Sequence, residues 1–455
     1  MKKIQYCGFN IAIIIIILLM AGCKKYLQKT SSTSIVTPQS LSDLQALLDD
    51  GDNMNTLVTP SLGEAAADDY FQTLATYNAR PDYLKQSYTW QPFEYIAPND
   101  WSKAYSAIYV SNFCLDQLSV IGKGTNTNEW NNVKGSAYFF RAYYFLNLLW
   151  IYGKAYDEET SDADPGIALR TQSDFNIPSS RASVQESFSQ ILNDIRQSIL
   201  YLPDLPIHPM RPSKCAAYAL MARTYLSLRN YDSVYKYANL SLNLKNTLLD
   251  YNDATVSASA NVPFQPFNNE IVFFTSMYQN PNISTSLALI DTTLYASYND
   301  NDLRKNVFFR ANGTYMRFKG SYASHSSRLF SGIAVDEVLL MRAECLARFN
   351  QIDSAMSDLN LLLQKRWNKS QNYTPLSTSS VNETLQLILN ERRKELVMRG
   401  LRWPDIKRLN KEGYNLTLKR LIGDEIFQLI PNSNMYALPL PKDIIEQSEM
   451  KQNIY

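Results

Sequence analysis

Residues 213–244 read SKCAAYALMARTYLSLRNYDSVYKYANLSLNL, and residues 335–367 read VDEVLLMRAECLARFNQIDSAMSDLNLLLQKRW. At one constant offset the two stretches carry the same pattern. Ala222, Tyr225, Val234, Ala238 and Ser241 in the first correspond to Ala343, Leu346, Ala355, Leu359 and Leu362 in the second. Within each half the steps are those of neighbours on one helix face. Small residues stand where two helices must approach, larger ones where they interlock. A short polar break separates the halves, Arg229-Asn230 in one and Asn350-Gln351 in the other. Such a break leaves room only for a tight turn, so each stretch is expected to fold back as an antiparallel helical hairpin.

This is the tetratricopeptide spacing, and two copies are fewer than a free-standing solenoid needs. Further helices must complete the core. Helix-like apolar stretches at residues 101–121, 130–152 and 184–202 supply them. The expected fold class is therefore mainly α: a tetratricopeptide-like scaffold of helical pairs with long irregular loops and a few short strands. The scaffold occupies about residues 101–249 and 333–410, and two loop-rich ranges stand apart from it. Residues 250–332 are rich in Asn, Ser, Pro and Tyr, with a strand expected over 271–276 and a hairpin turning at Ala311-Asn312-Gly313-Thr314. Residues 49–100 hold Asp68-Asp69-Tyr70-Phe71, Tyr77, Tyr83, Tyr88, Trp90 and Tyr95, with no steady period of 2 or 3.6. That argues against one simple core face. Long irregular segments inside a compact domain are usually functional, so these two ranges are read as a ligand face.

The N-terminus fixes where the chain works. Lys2 and Lys3 precede an apolar run, Ile11 to Met20, which closes on Ala21-Gly22-Cys23. The run is too short to span a bilayer, and the small residues before a cysteine are those of a lipoprotein signal. Residues 1–22 are read as the signal peptide, Cys23 as the acylated residue and 23–455 as one domain anchored by its lipid. Losing Lys2 and Lys3 moves the formal charge from +1 to −1. That balance gives no pull toward nucleic acid. Beyond Cys23 three cysteines remain, Cys114, Cys215 and Cys345. An odd set in apolar helical patterns reads as buried small hydrophobes, not as a disulfide framework.

Catalysis finds little support. The two histidines, His208 and His325, sit in no zinc-binding spacing, and neither a Gly-x-Ser-x-Gly elbow nor a phosphate-cradling glycine loop is present. Asp68 and Asp69 are adjacent and would point apart, unlike a glycosidase pair. Asn299-Asp300-Asn301-Asp302 lacks the Gly and Glu of a calcium loop and reads as a solvated turn. No catalytic residue, metal ligand or cofactor is assigned.

The C-terminal quarter carries the most specific motif. Glu391-Arg392-Arg393-Lys394-Glu395-Leu396 is followed by Gly400-Leu401-Arg402-Trp403 and Asp405-Ile406-Lys407-Arg408. Leu385, Ile388, Leu389 and Leu396 make one helix face, Gly400 is expected as the C′ residue and Pro404 is expected to start the next helix. The interleaved Arg and Glu are placed for buried pairing, so the motif is assigned to fold. It closely resembles the signature of the SusD/RagB nutrient-uptake lipoproteins. Trp101…Tyr105…Ile108…Asn112, Arg141-Ala142-Tyr143-Tyr144-Phe145 and Leu438-Pro439-Leu440-Pro441 extend the resemblance along the chain. It departs at Arg399, where the family has Glu, and at Ile454, where Pro-Gly precedes the closing Tyr.

The resemblance implies a non-catalytic glycan-binding lipoprotein of the outer membrane, on its extracellular face, serving a SusC-like TonB-dependent barrel. A peptide-binding member is the alternative within the family, and a surface glycoside hydrolase the alternative outside it. The family has no fixed ligand motif, so binding candidates rest on composition. Some of Tyr70, Tyr77, Trp90, Tyr315 and Tyr322 are expected to form a shallow stacking platform for an oligosaccharide, with Asp69 and Arg317 the nearest polar candidates for holding its hydroxyls.

Overall fold

The structure is a computed structural model that describes residues 38–455; the signal segment and Cys23 lie outside the described residues. Nine helices make the scaffold: α1 (Asp100–Ile121), α2 (Thr127–Tyr152), α3 (Val184–Tyr201), α4 (Lys214–Ser227), α5 (Tyr231–Leu244), α6 (Val335–Arg348), α7 (Ile352–Arg366), α8 (Val381–Glu395) and α9 (Arg402–Lys411). Each starts where the sequence supplies a cap or an abrupt change of character. Asn99 with Ser102 and Ser183 with Glu186 form reciprocal capping boxes for α1 and α3, while Ser213 and Asn230 cap α4 and α5.

The two repeats fold as expected. Arg229 and Asn350, equivalent under the offset, both take the left-handed conformation (φ 58° and 59°) that reverses the chain between α4 and α5 and between α6 and α7. Ala222, Val234, Ala238, Ala343, Ala355, Leu359 and Leu362 are fully buried. The two pairs stack through α5 and α6, although the long loop-rich insertion separates them in sequence. Packing continues from α1 to α2, α3 and α4, so the earlier helices extend the array, and α8 closes it against α6.

Among the described residues, ten strands of two to five residues pair two by two, all antiparallel. They are β1 (Tyr70–Phe71), β2 (Pro165–Ala168), β3 (Arg181–Ser183), β4 (Ile271–Phe273), β5 (Leu289–Ile290), β6 (Phe309–Asn312), β7 (Tyr315–Phe318), β8 (Ile333–Ala334), β9 (Leu418–Ile422) and β10 (Glu425–Leu429). The hairpin β6–β7 turns at Gly313-Thr314, as the sequence predicts. The strand expected over 271–276 is shorter, ending at Phe273 where its partner β8 runs out.

The loop-rich ranges build a second core of their own. Tyr70, Tyr88, Tyr251, Phe264, Phe308, Phe309, Phe318, Tyr322 and Phe330 pack together there with Ile271 and Ile290. The aromatics without a period are thus largely packing residues. Strands of two residues cannot display a period, and large rings fill the space between irregular segments.

Gly400 takes the expected positive φ (78°), but α8 ends at Glu395, so the glycine closes the turn into α9 instead of capping α8. Cys114, Cys215 and Cys345 are buried and free, as their patterns imply.

Candidate ligand-binding cleft

Both walls of the cleft come from the loop-rich ranges. One wall is the short helix Asp82–Tyr88 and the loop leading to α1; the other is the segment from Met277 through the single helical turn Pro281–Ile283. Buried amides stitch them together. Asn282 Nδ2 donates to the Leu84 carbonyl at 2.9 Å, and Gln72 Nε2 donates to Asn282 Oδ1 at 3.0 Å. The Arg80 guanidinium donates to the Pro281 carbonyl, and the Tyr278 hydroxyl reaches the Pro98 carbonyl at 3.3 Å. Below them the buried Asp100 carboxylate accepts from the backbone amides of Ser61 and Leu62. Burial outweighs those donors and pushes Asp100 up to about 6.

The resulting hollow, about 560 Å³, is edged by Tyr83, Phe93, Tyr95, Ile96 and Tyr278, with Gln279, Asn280 and the Glu94–Lys442 ion pair (2.7 Å) supplying polar groups. Tyr83 is 41% exposed and Ile96 63%. Segment 278–281 also walls a neighbouring hollow of similar size with Lys103, Ser327 and Arg328, so Tyr278 lines both hollows. A larger groove of about 900 Å³ beside the Leu41–Leu48 helix is lined by a single ring, Tyr201. Rings with amide donors and acceptors beside them can hold an amphipathic, polyhydroxylated ligand by stacking and hydrogen bonding.

The residues expected to form the platform divide into two sets. Tyr70, Trp90 and Tyr322 are buried, as is Asp69, which corrects the expectation of a surface role for these four. The Tyr70 hydroxyl donates to the Ala65 carbonyl (2.6 Å), Trp90 Nε1 to the Ala66 carbonyl (2.9 Å), and the Tyr322 hydroxyl contacts that of Tyr251 (2.8 Å). Asp69 accepts from Arg393 Nε at 2.9 Å. Their polar atoms are spent inside the fold, where desolvation without partners would be costly. Tyr77 is half-buried against Tyr88, its ring 6.1 Å away. Tyr315 and Arg317 lie on β7, and Tyr315 is 39% exposed with its ring edge-on to Phe71 at 5.1 Å. Neither residue lines the cleft. Sequence reasoning placed Tyr83 and Tyr95 among the aromatics without choosing them and passed over Tyr278. The one local signal was its amide-rich sequel, Gln279-Asn280-Pro281-Asn282.

The signature motif forms a closed ionic network. Glu270, Asp336 and Glu395 approach within 4.8 Å of one another, all buried, in the manner of a metal site. Three arginines occupy their surroundings: Arg366 bridges Glu270 (2.9 Å) and Glu395 (2.8 Å), Arg304 pairs with Glu395 (2.9 Å) and Arg399 with Asp336 (2.8 Å). Each of the three carboxylates thus has an arginine partner, as buried charges require. Arg399 answers Asp336, and its guanidinium lies 4.3 Å from the Tyr322 ring centroid.

Comparison with known proteins agrees with this architecture. Residues 24–226 match a family model described as starch-binding associating with outer membrane, and residues 252–454 match the SusD family model. The chain belongs to the SusD family, a family of carbohydrate-binding, non-catalytic proteins. SusD-like protein P2 of Formosa agariphila is 24% identical over 422 residues, covering 78% of this chain and 79% of that protein. A SusD superfamily protein from Bacteroides thetaiotaomicron superposes with TM-score 0.73 at 19% identity, over 91% of this chain and all of the other. A putative sugar binding protein from Bacteroides vulgatus does so with TM-score 0.71 at 19% identity, over 92% and 99%. Such likeness at low identity shows the fold.

Proposed function

We propose that this protein is a lipid-anchored saccharide receptor of the outer-membrane surface, that it captures an oligosaccharide in the Tyr278 cleft, and that it passes it to a SusC-like TonB-dependent barrel. The observation that carries the reading is the cleft, where the exposed Tyr83 and the half-buried Tyr278 line one hollow together with Gln279, Asn280 and the Glu94–Lys442 ion pair, in a SusD-family chain. The sugar-binding name of the Bacteroides vulgatus structure supports the same ligand class. Rings would stack on sugar C–H groups while amides fix hydroxyls. The helical array is left for the barrel, and the single domain spans residues 23–455 once residues 1–22 are removed.

Tyr278 tests the cleft. Tyr278→Ala should weaken oligosaccharide binding by about 1–3 kcal/mol, as expected for a central aromatic anchor, with little change in melting temperature. A panel of neutral and acidic oligosaccharides titrated calorimetrically against wild type and variant reads this. Unchanged affinity would remove the cleft from the function, and binding of peptides alone would turn the reading to peptide uptake. The anchor is tested separately. Cys23→Ala should leave the membrane fraction, and a variant still membrane-bound after high-salt washing, with no labelled fatty acid on the wild type, would overturn acylation.

A further inference from the structure

The hairpin β6–β7 has two unlike faces. Phe309 and Phe318 oppose each other on the buried one. On the other, Arg310 stands directly across from Arg317, Asn312 across from Tyr315, and Lys319 follows two residues after Arg317. Among the described residues no carboxylate pairs with any of these three cations. Arg310 Nη1 donates to Asn261 Oδ1 at 3.3 Å, and Lys319 Nζ donates to the carbonyls of Ala258 and Ala260. Arg317 is half-buried, and its Nε has neither an acceptor nor solvent.

This arrangement costs stability. Like charges directly opposite on an antiparallel pair repel, and a buried N–H without an acceptor adds its desolvation penalty. Burial, with the nearby Arg310 charge, draws the Lys319 ammonium below its ordinary pKa. An oxyanion between the two arginines would offset the repulsion, because guanidinium forks match carboxylate and sulfate oxygens in pairs. Tyr315 stands at the rim with an exposed ring, while Asn261 and Asn312 supply neutral hydrogen-bonding groups.

We propose that this face is a second binding site, which holds the anionic group of an acidic saccharide, a uronate carboxylate or a sulfate ester, between Arg310 and Arg317, with a sugar ring against Tyr315. The choice of a saccharide as carrier rests on the function proposed above; the anion between the arginines does not.

Crystals of the protein grown with selenate, a sulfate analogue with an anomalous signal, should show a peak between Arg310 and Arg317. No peak there overturns the anion site. Tetragalacturonate should bind at least about tenfold more tightly than its full methyl ester, and Arg317→Gln should abolish that preference, the loss expected for a charged hydrogen bond. In chloride buffer at low ionic strength, Arg317→Gln should melt no lower than wild type, since it relieves repulsion; a purely structural arginine would melt lower, which would overturn the proposal. If selenate binds but acid and ester bind alike, the site is an adventitious ion only. A charge preference that survives Tyr278→Ala while neutral binding is lost separates the two sites. Loss of the charge preference alone, with neutral saccharides still held at Tyr278, defeats this inference and leaves the cleft standing.

Discussion

Gly400 is held at φ +78°, and its N–H donates to Glu64 Oε2 at 2.7 Å, tying the turn between α8 and α9 to the short helix Leu62–Ala66. A Cβ there would meet only Met277 Sδ at 3.6 Å, so space permits a side chain where conformation resists one. Gly400→Val should therefore destabilise by roughly 1–2 kcal/mol or more, the cost of a β-branched residue in the left-handed region. Thermal melts read this directly. A variant that melts like wild type but no longer holds saccharide would move the motif from fold to site. The rest of the motif works by pairing: Arg392 and Arg408 both hold Asp405 (2.8 Å each), and Arg408 reaches Glu344 at 2.7 Å. Removing one partner of such a buried pair is far costlier than the pair is stabilising, which is why these residues come as a set.

At the scale of elements, the hairpin β9–β10 shows how the C-terminal chain secures the wall of the second core. A lone two-stranded hairpin is marginal in water, and this one turns Leu421 and Ile426 to solvent. Arg420 fixes it. Its guanidinium lies 4.9, 4.4 and 5.1 Å from the rings of Tyr70, Tyr88 and Trp90 and donates to the carbonyls of Tyr70 and Ala67. Arg420→Met should cost about 2–4 kcal/mol, because two buried carbonyls lose their donor and three rings their cation. Hydrogen exchange should rise together in residues 67–71 and 418–429; protection unchanged in the first segment would refute the coupling. None of this was legible in the sequence: Arg420 shares its strand face with Leu418 and Ile422, and nothing local tells which partners would receive a buried guanidinium there. The repeats were legible because their contacts recur at fixed offsets along the chain. The Tyr70, Tyr88 and Trp90 cluster was not, since the cation that joins those rings arrives from residue 420. The cleft suffered the same obstacle: Tyr83 and Tyr278 are distant in sequence, and their segments meet through bonds from Asn282, Arg80 and Tyr278 that no local pattern announces.

For the whole molecule, buried carboxyls set how stability varies with pH. Burial first, then the charges of Asp69 and Asp68, pushes Glu64 up to about 8; Arg402 acts in the opposite sense, and Glu64 Oε1 is buried with no partner, as suits a protonated acid. Burial likewise raises Asp336 to about 7, against the pull of Arg399, and Asp100 to about 6. Glu395 is the opposite case: burial alone would raise it, but Arg366 and Arg304 bring it down to about 2. A carboxyl whose pKa is higher folded than unfolded binds its proton more tightly in the native state. Its contribution is complete below about pH 4 and is lost as pH rises through the folded value. Glu395 contributes above its unfolded value near 4.5 and loses that contribution as pH falls toward 2. The two trends cross, so stability should be greatest near pH 5 and decline toward pH 8, by up to about 1.4 kcal/mol for each pH unit over which a raised carboxyl keeps its proton in the native state alone. Melting temperatures taken at pH 5, 6, 7 and 8 at constant ionic strength check the slope. Glu64→Gln preserves an acceptor for the Gly400 N–H while removing the titration, so its curve should be flatter than wild type between pH 6 and 8. Equal slopes in the two proteins would show that Glu64 does not hold its proton in the native state. A wild-type melting temperature that rises from pH 5 to 8 would mean that Glu64, Asp336 and Asp100 do not hold their protons in the native state.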